Sequence, residues 1–582
     1  MAGKQFVDPH DVPVIAGTEG WERMYPYQYQ FSQEDSERKT FESSQLWYYD
    51  GLHYPEPHYP FDLIWDEAWS LALSQYNTRH FIIPPALGVD HRIVNGYVYI
   101  SPVGIADQDV VAKRVPFFIE RAGYYYQNWD KLYENWKKKV TALIGELESM
   151  NFKELPEMED ISVIKDGLGR GSGFQLLKDY DDLINMGLLN WQYHFEFLNL
   201  GYAAYVTFIN TANQIFPDIP MSTLTKMISG IDVVMYKPDA ELIRLAKLAI
   251  DTNLAELFKK PWNAAELMAE LGKAPAGKDW LAEFDSIRMH IKSLQEGKQV
   301  GRPTGKLVEE RNRIVTEYKK LIRTDDDKEA FEQALAVART VFPYVEDHLF
   351  YIEHWFHSIF WGKVRQIGTI LSDQGFIEDA EDIWFLKRDE IKQALWDYCT
   401  AWATGVKPRG PSYWPKEVSW RKDVLEKFRN WKPLPALGVP PDVVTEPFTI
   451  VLWGVTTDVL GEWLKGGGEG EGQQNEFKGS PGSSGVVEGR ARVLKNVTEL
   501  ADLREGEILV ATTTSPSWAP AFVKIAGAVT DVGGPMCHAA IVCREYGLPT
   551  VVGTGKATTL IKTGDLIRID GDSGLVTILE RA

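Results

Sequence analysis

Cysteine is nearly missing from this chain: Cys399, Cys537 and Cys543 are all that 582 residues contain. Three thiols build no disulfide framework, and such sparse use fits a reducing compartment. Cys537 and Cys543 are too few for a zinc site and fall on different sides of one predicted helix. Long apolar runs are missing too. None reaches the roughly 20 residues that span a bilayer, and Met1 to Ile15 holds no signal-peptide core. A cytoplasmic location without membrane contact is therefore expected. Positive charge is in short supply: the formal net charge is −20, which argues against a nucleic-acid or anionic-lipid partner. Nor is there a Gly-x-x-x-x-Gly-Lys-Ser/Thr phosphate loop. The strings Gly301–Lys306 and Gly553–Lys556 fail its spacing and lack the final hydroxyl.

What is present divides by composition. Residues 1–114 are aromatic-rich, and alternating prolines from His53 to Phe61 forbid a helix there. Val89 to Ser101 alternates around Asn95-Gly96, the signature of a hairpin. Residues 115–460 read mostly helical, with charged and apolar residues at helical spacing through Asp130–Glu148, Ala240–Phe258, Val308–Thr324, Lys328–Phe342 and Glu346–Gln374. Residues 461–478 include the run Gly466 to Asn475, interleaved with glutamate and free of large apolar side chains. Such a segment buries nothing and acts as a tether. At this length two or three cores are expected. The fold class is multidomain: a mainly α-helical region with an aromatic-rich N-terminal segment, then a C-terminal α/β domain over 479–582.

The densest signal lies in that last domain. Gly533-Gly534 is followed by Cys537 and then His538, which opens an amphipathic helix expected to stop at Gly547, with Pro549 beyond. The first turn of a helix leaves N–H groups unpaired and carries partial positive charge. That field disfavours a protonated imidazole and favours a phosphoryl group on it. His538 is the candidate nucleophile and phosphate carrier. Thr530 ends an apolar strand within reach of imidazole or phosphate. Gly533 and Gly534 admit close backbone approach, and Cys537 reads as a small packing residue rather than a second nucleophile.

The ordered run Ser480-Pro481-Gly482, Glu507 to Thr512, Ala528-Val529-Thr530, Gly533-Gly534, Cys537 to Val542 and Gly547-Leu548-Pro549 resembles the phosphohistidine swivelling domain of phosphoenolpyruvate-utilising enzymes. That family includes phosphoenolpyruvate synthase, pyruvate phosphate dikinase and rifampicin phosphotransferase. Nothing here resembles their ATP-grasp domain or the pyruvate-binding barrel. The resemblance therefore implies that ATP and Mg2+ belong to a separate nucleotide-binding subunit, with no cofactor assigned to this chain.

Gly17 to Met24, Asp50 to Pro57, Trp191 to Glu196 and His348 to Trp355 are similar to the histidine-bearing subunit of phenylphosphate synthase. This second resemblance implies transfer of the phosphoryl group to the hydroxyl of phenol, with ATP going to AMP and phosphate. A cresol, another hydroxylated molecule such as an antibiotic, or a regulatory relay without a small acceptor stay open. Phenol needs a flat apolar slot and one polar group to orient its hydroxyl. Three- and four-residue steps put Phe350, His354, His357, Trp361 and Arg365 on one face of the Glu346–Gln374 helix. A pocket wall and a half-buried interface helix both present such a face. His194 reads as an acceptor-site base or a satisfied core histidine. His354 and His357 lack a third ligand, and no metal is assigned.

Overall fold

A computed structural model of the chain describes residues 5–34, 36–253, 255–256, 287–297, 300–465, 475–515 and 518–582. The glycine–glutamate run from 466 to 474 and the end of the Ala240–Phe258 pattern lie outside the described residues. The chain packs as two compact units. One comprises Met1–Ala203, His348–Ile450 and Val455–Glu471, the other Ala204–Asp347, Val451–Gly454 and Gly472–Ala582. Composition draws its boundaries at 114, 460 and 478, whereas packing groups residues 204–347 with the C-terminal α/β part.

The first unit holds an antiparallel sheet of β1 (Leu46–Tyr49), β2 (Ala86–Val94), β3 (Tyr97–Gly104) and β4 (Ala436–Gly438), in the order β2-β3-β1-β4. Val94 pairs with Tyr97 across the Asn95-Gly96 turn, whose two residues have φ of 48° and 81°. Positive φ at both positions is what a two-residue hairpin of the primed type demands, and Asn-Gly tolerates it best. The expected hairpin is there. Phe31, Trp47, Val94, Tyr97, Tyr99 and Leu437 form the core beside this sheet.

Helices make up most of the rest. Trp129–Ser149 buries Trp129, Tyr133, Trp136, Val140, Leu143, Ile144 and Leu147, a three- and four-residue rhythm that gives it one apolar face. The loop 167–171 leads into the 44-residue helix Ser172–Ile215. Its start is tied by Glu159, which accepts from the Ser172 N–H and hydroxyl. Asp325–His348 is α-helical and carries Pro343 inside it; Leu349–Phe356 is π-helical; His357–Asp373 is α-helical again. The single α-helical face expected across 346–374 is therefore interrupted, because each π-turn bonds i to i+5 and rotates the residues downstream of it.

The second unit contains an eight-stranded mixed sheet: β5 (Glu476–Lys478), β6 (Ser480–Ser483), β7 (Val486–Val493), β8 (Ile508–Ala511), β9 (Gly527–Thr530), β10 (Thr550–Val552), β11 (Leu566–Asp570) and β12 (Leu575–Glu580). Their order is β5-β12-β11-β7-β8-β9-β10-β6, with β7, β8, β9 and β10 mutually parallel. Ile508 and Val510 join one buried cluster, Leu509 and Ala511 the other. Burial on both faces explains why β8 reads as an unbroken apolar run.

Candidate functional site

The candidate site around His538 is built where β9 stops. Thr530, the last residue of β9, donates its hydroxyl to the Val532 carbonyl at 3.0 Å, and its own carbonyl accepts from the Thr554 N–H and hydroxyl at 3.0 and 3.1 Å. Gly533 follows with φ of 123°, and a Cβ there would stand 2.6 Å from Cys537 Sγ. Two further glycines close on the same peptide. A Cβ on Gly454 or Gly553 would lie 2.6 or 2.5 Å from the Gly533 carbonyl oxygen. The Gly534 and Met536 N–H groups donate to Leu452 and Val451 at 2.8 and 3.1 Å. Only residues without a side chain permit this packing, which holds the loop in one path.

The helix then runs from His538 to Tyr546, with Cys537 as extended N-cap and Gly547 left-handed at φ of 71°, as the sequence pattern expects. His538 is half-buried and meets the Phe522 ring edge-on at 6.0 Å. Cys537 is buried, and burial pushes its thiol up to about 11. At neutral pH it stays protonated and a poor nucleophile. Six residues after His538, Arg544 donates to the Pro535 carbonyl at 2.8 Å and to the Gly482 carbonyl at 3.0 Å, tying the loop before His538 to β6. The arrangement presents an imidazole at a helix N-terminus, at the C-terminal end of a parallel strand. Open α/β sheets place their ligand-handling groups at that end.

The other candidates lie in the first unit. His194 is buried, and its Nε2 is 2.9 Å from Glu353 Oε1. Burial, then the nearby His53, pushes its imidazole down to about 3. That makes it a weak base on its own. The Trp191 ring lies 4.5 Å from His194 and 6.0 Å from His357. Trp65 is 4.3 Å from His357 and 5.3 Å from Trp361. The structure thus gathers His194, His357 and Trp361 around two tryptophans. Phe350 packs instead on Tyr351 and Trp355, and His354 is exposed. Arg365 is exposed, pairs with Glu381 at 2.7 Å and covers Trp384. Phe350 and His354 lie within the π-helical stretch, which takes them off the α-helical wall, whereas Arg365 stays in the α-helix of His357 and Trp361 and leaves the cluster by turning out to Glu381.

Sequence reasoning missed a closer constellation. His194, His348 and Glu353 place one donor atom each within 4.8 Å of one another. The His348 Nε2 is 3.8 Å from the same Glu353 oxygen that His194 reaches. Residues five apart on an α-helix point about 140° away from each other, so periodicity hides this pair. Pro343 one turn upstream is the one local sign of irregular helix.

The C-terminal part of the chain is thus a mixed α/β domain with a histidine behind a glycine pair at the mouth of a parallel sheet. Residues 503–574 match the family described as PEP-utilising enzyme, mobile domain. Rifampicin phosphotransferase of Bacillus subtilis is 38% identical over 208 residues, 36% of this chain and 20% of the relative. A probable phosphoenolpyruvate synthase of Methanothermobacter thermautotrophicus is 46% identical over 99 residues, 17% of this chain and 14% of its own. Chondramide synthase cmdD of Chondromyces crocatus is 33% identical over 262 residues, 43% of this chain and 6% of that protein. The chain thus spans a small part of the curated relatives it matches. A solution structure of Enzyme I aligns over 37% of this chain at 19% identity, but its TM-score of 0.14 is too low to bear on the fold. Among the described residues no helix is long and apolar enough to cross a membrane.

Proposed function

We propose that this chain is a phosphotransferase component that carries a phosphoryl group on His538 and delivers it to the hydroxyl of phenol. The observation that carries the reading is the placement of a half-buried His538 at the first helical position behind Gly533-Gly534. In the first step an imidazole nitrogen of His538 attacks the β phosphorus of ATP held by a separate ATP-binding subunit with Mg2+. An N–P bond forms as the P–O bond to AMP breaks, and water then attacks the γ phosphorus, releasing inorganic phosphate and leaving one phosphoryl group, that of the β phosphorus, on the imidazole. In the second, the acceptor oxygen attacks that phosphorus in line, the N–P bond breaks, and the imidazole recovers its lone pair. Positioning and charge neutralisation supply most of the rate in such transfers. The buried tryptophans Trp65 and Trp191 make the surroundings of His194 and His357 apolar, as a site for a phenol ring requires.

A second reading keeps the carrier and changes the acceptor to a hydroxylated antibiotic. The likeness to rifampicin phosphotransferase favours it, because the aligned stretch is twice as long as segment 479–582. One experiment separates the two. The full chain and its nucleotide-binding partner are incubated with ATP labelled at the β or γ phosphate, with phenol, a cresol or rifampicin, and His538→Ala alongside. Acid-labile label on the wild-type chain alone, discharged by phenol to an organic phosphate, supports the first reading. Discharge by rifampicin alone supports the second. No label on an active complex removes His538 as the carrier.

A further inference from the structure

We propose that His194, His348 and Glu353 form a binding site for one divalent transition-metal ion of the zinc class. Resting on the function proposed above, we also infer that this ion binds the hydroxyl oxygen of the acceptor. Three features of the first unit lead there. The donor set is the first. Two imidazoles and one carboxylate are a known ligand set for zinc, with positions left open to a small oxygen ligand.

Distance is the second. The three donor atoms lie within 4.8 Å of one another, with the two imidazole nitrogens 2.9 and 3.8 Å from one carboxylate oxygen. In the tetrahedral arrangement zinc prefers, ligands about 2.1 Å from the ion stand roughly 3.4 Å apart. To close on an ion, His348 and Glu353 draw in by a few tenths of an ångström, His194 and Glu353 open by about half an ångström, and the two imidazole nitrogens approach by up to about 1.4 Å. The His194 and His348 rings cross at 87° with centroids 4.6 Å apart, so neither ring plane blocks the other's nitrogen.

Backbone geometry is the third. His348 ends the helix Asp325–His348, and Glu353 sits inside the π-helical stretch Leu349–Phe356. An α-helix would turn the two side chains about 140° apart. The i to i+5 bond of the π-helix brings residues five apart nearly over one another. Single π-turns are rare and concentrate at functional sites. Here the local distortion is what makes His348 and Glu353 converge on His194, which comes from the separate helix Ser172–Ile215.

The ion gives the acceptor what the side chains lack. A phenolic hydroxyl has an ordinary pKa of about 10, and a bound cation lowers the pKa of an oxygen ligand by several units. The hydroxyl proton leaves to solvent water, and the oxygen keeps the electron pair that forms the new O–P bond. Magnesium, which prefers an all-oxygen octahedron, does not suit two imidazoles.

The test separates metal binding from transfer. The purified full chain is stripped with chelator, loaded with Zn2+ or Co2+, desalted, and measured for metal content and for the visible Co2+ absorption. Glu353→Gln and His348→Gln are treated alike, with circular dichroism to confirm that each is folded. We expect one retained equivalent in the wild type, the Co2+ band, and at least a tenfold weaker affinity in both variants. A reloaded and desalted wild-type chain that retains no Zn2+, or folded variants that retain as much as the wild type, overturns the site. With the partner subunit and ATP present, stripping is expected to leave label on His538 intact while slowing its discharge to phenol at least tenfold. Equal discharge with and without metal overturns the role of the ion but not the site. Absence of label altogether overturns the carrier reading and leaves the metal result to stand alone.

Discussion

Arg302 Nε stands 2.9 Å from Glu545 Oε2, and both side chains are buried, at 6% and 2% exposure. Glu545 belongs to the helix that His538 opens, and it also accepts from the Gly230 N–H at 3.0 and 3.1 Å. The guanidinium lies 4.4 Å from the Tyr236 ring centre. Removing one partner of a buried pair strands the other charge, at a cost of about 3–5 kcal/mol. Arg302→Met is therefore expected to lower the urea midpoint strongly. Arg302→Met with Glu545→Gln keeps an acceptor for Gly230 without the charge, and most of the loss is expected to return. Equal midpoints for wild type and Arg302→Met would show that the pair contributes nothing.

Acid sensitivity should trace to Glu42. Burial alone would raise its carboxyl, but hydrogen bonds from Arg92, the Ser32 N–H and Arg38 outweigh that and hold it down at about 2. The Arg92 contact is 2.8 Å, and the Glu42 side chain is fully enclosed. A depressed carboxyl stabilises the fold above its ordinary value of 4.5 and loses that contribution as pH falls from about 4.5 toward 2. The shift corresponds to roughly 3 kcal/mol. Stability measured against pH should drop steeply in this window for the wild type and flatten in Glu42→Gln. An unchanged slope would falsify the assignment.

Gly533→Ala should damage the carrier loop without unfolding the sheet. The residue would be forced to φ of 123° with its Cβ 2.6 Å from Cys537 Sγ. Such backbone strain costs on the order of 1–3 kcal/mol. Labelling of His538 is expected to fall at least tenfold while far-ultraviolet circular dichroism stays as in the wild type. Full labelling would mean that the loop tolerates a second path.

All three thiols should resist alkylation in the native chain. Cys399 and Cys537 are held up at about 11 and Cys543 at about 12, each by burial first. Iodoacetamide at pH 8 is expected to modify none within minutes and all three after denaturation. Cys537→Ala should still take label on His538, and loss of label in a folded Cys537→Ala chain would give the thiol a chemical part.

Much of the local structure around His538 was legible in the sequence because its signals are local. Gly533-Gly534, His538 and Gly547 fall within fifteen residues, and each acts through its immediate neighbours. The Asn95-Gly96 hairpin was legible for the same reason. The helical region was not. Its histidines sort themselves by contacts between distant segments, as when Trp191 lies between His194 and His357. Counting in threes and fours put His354 on a wall that the π-helical stretch takes apart, and put Arg365 there although its side chain reaches out to Glu381. Glu196 pairs with Lys139, and the carboxylate that meets His194 is Glu353. Neither pairing has a sequence signature.

The π-helical stretch also sets a phase. A substitution scan along 325–373 should show tolerance rising and falling with a period of about 3.6 residues on either side of it. Across Leu349–Phe356 that wave is expected to slip, so that the intolerant positions of His357–Asp373 fall out of step with those of Asp325–His348. Deleting one residue there would bring the two waves back into register and turn every downstream side chain by about 100°. Insertions and deletions in this stretch should therefore matter more than substitutions, the reverse of what an exposed loop allows.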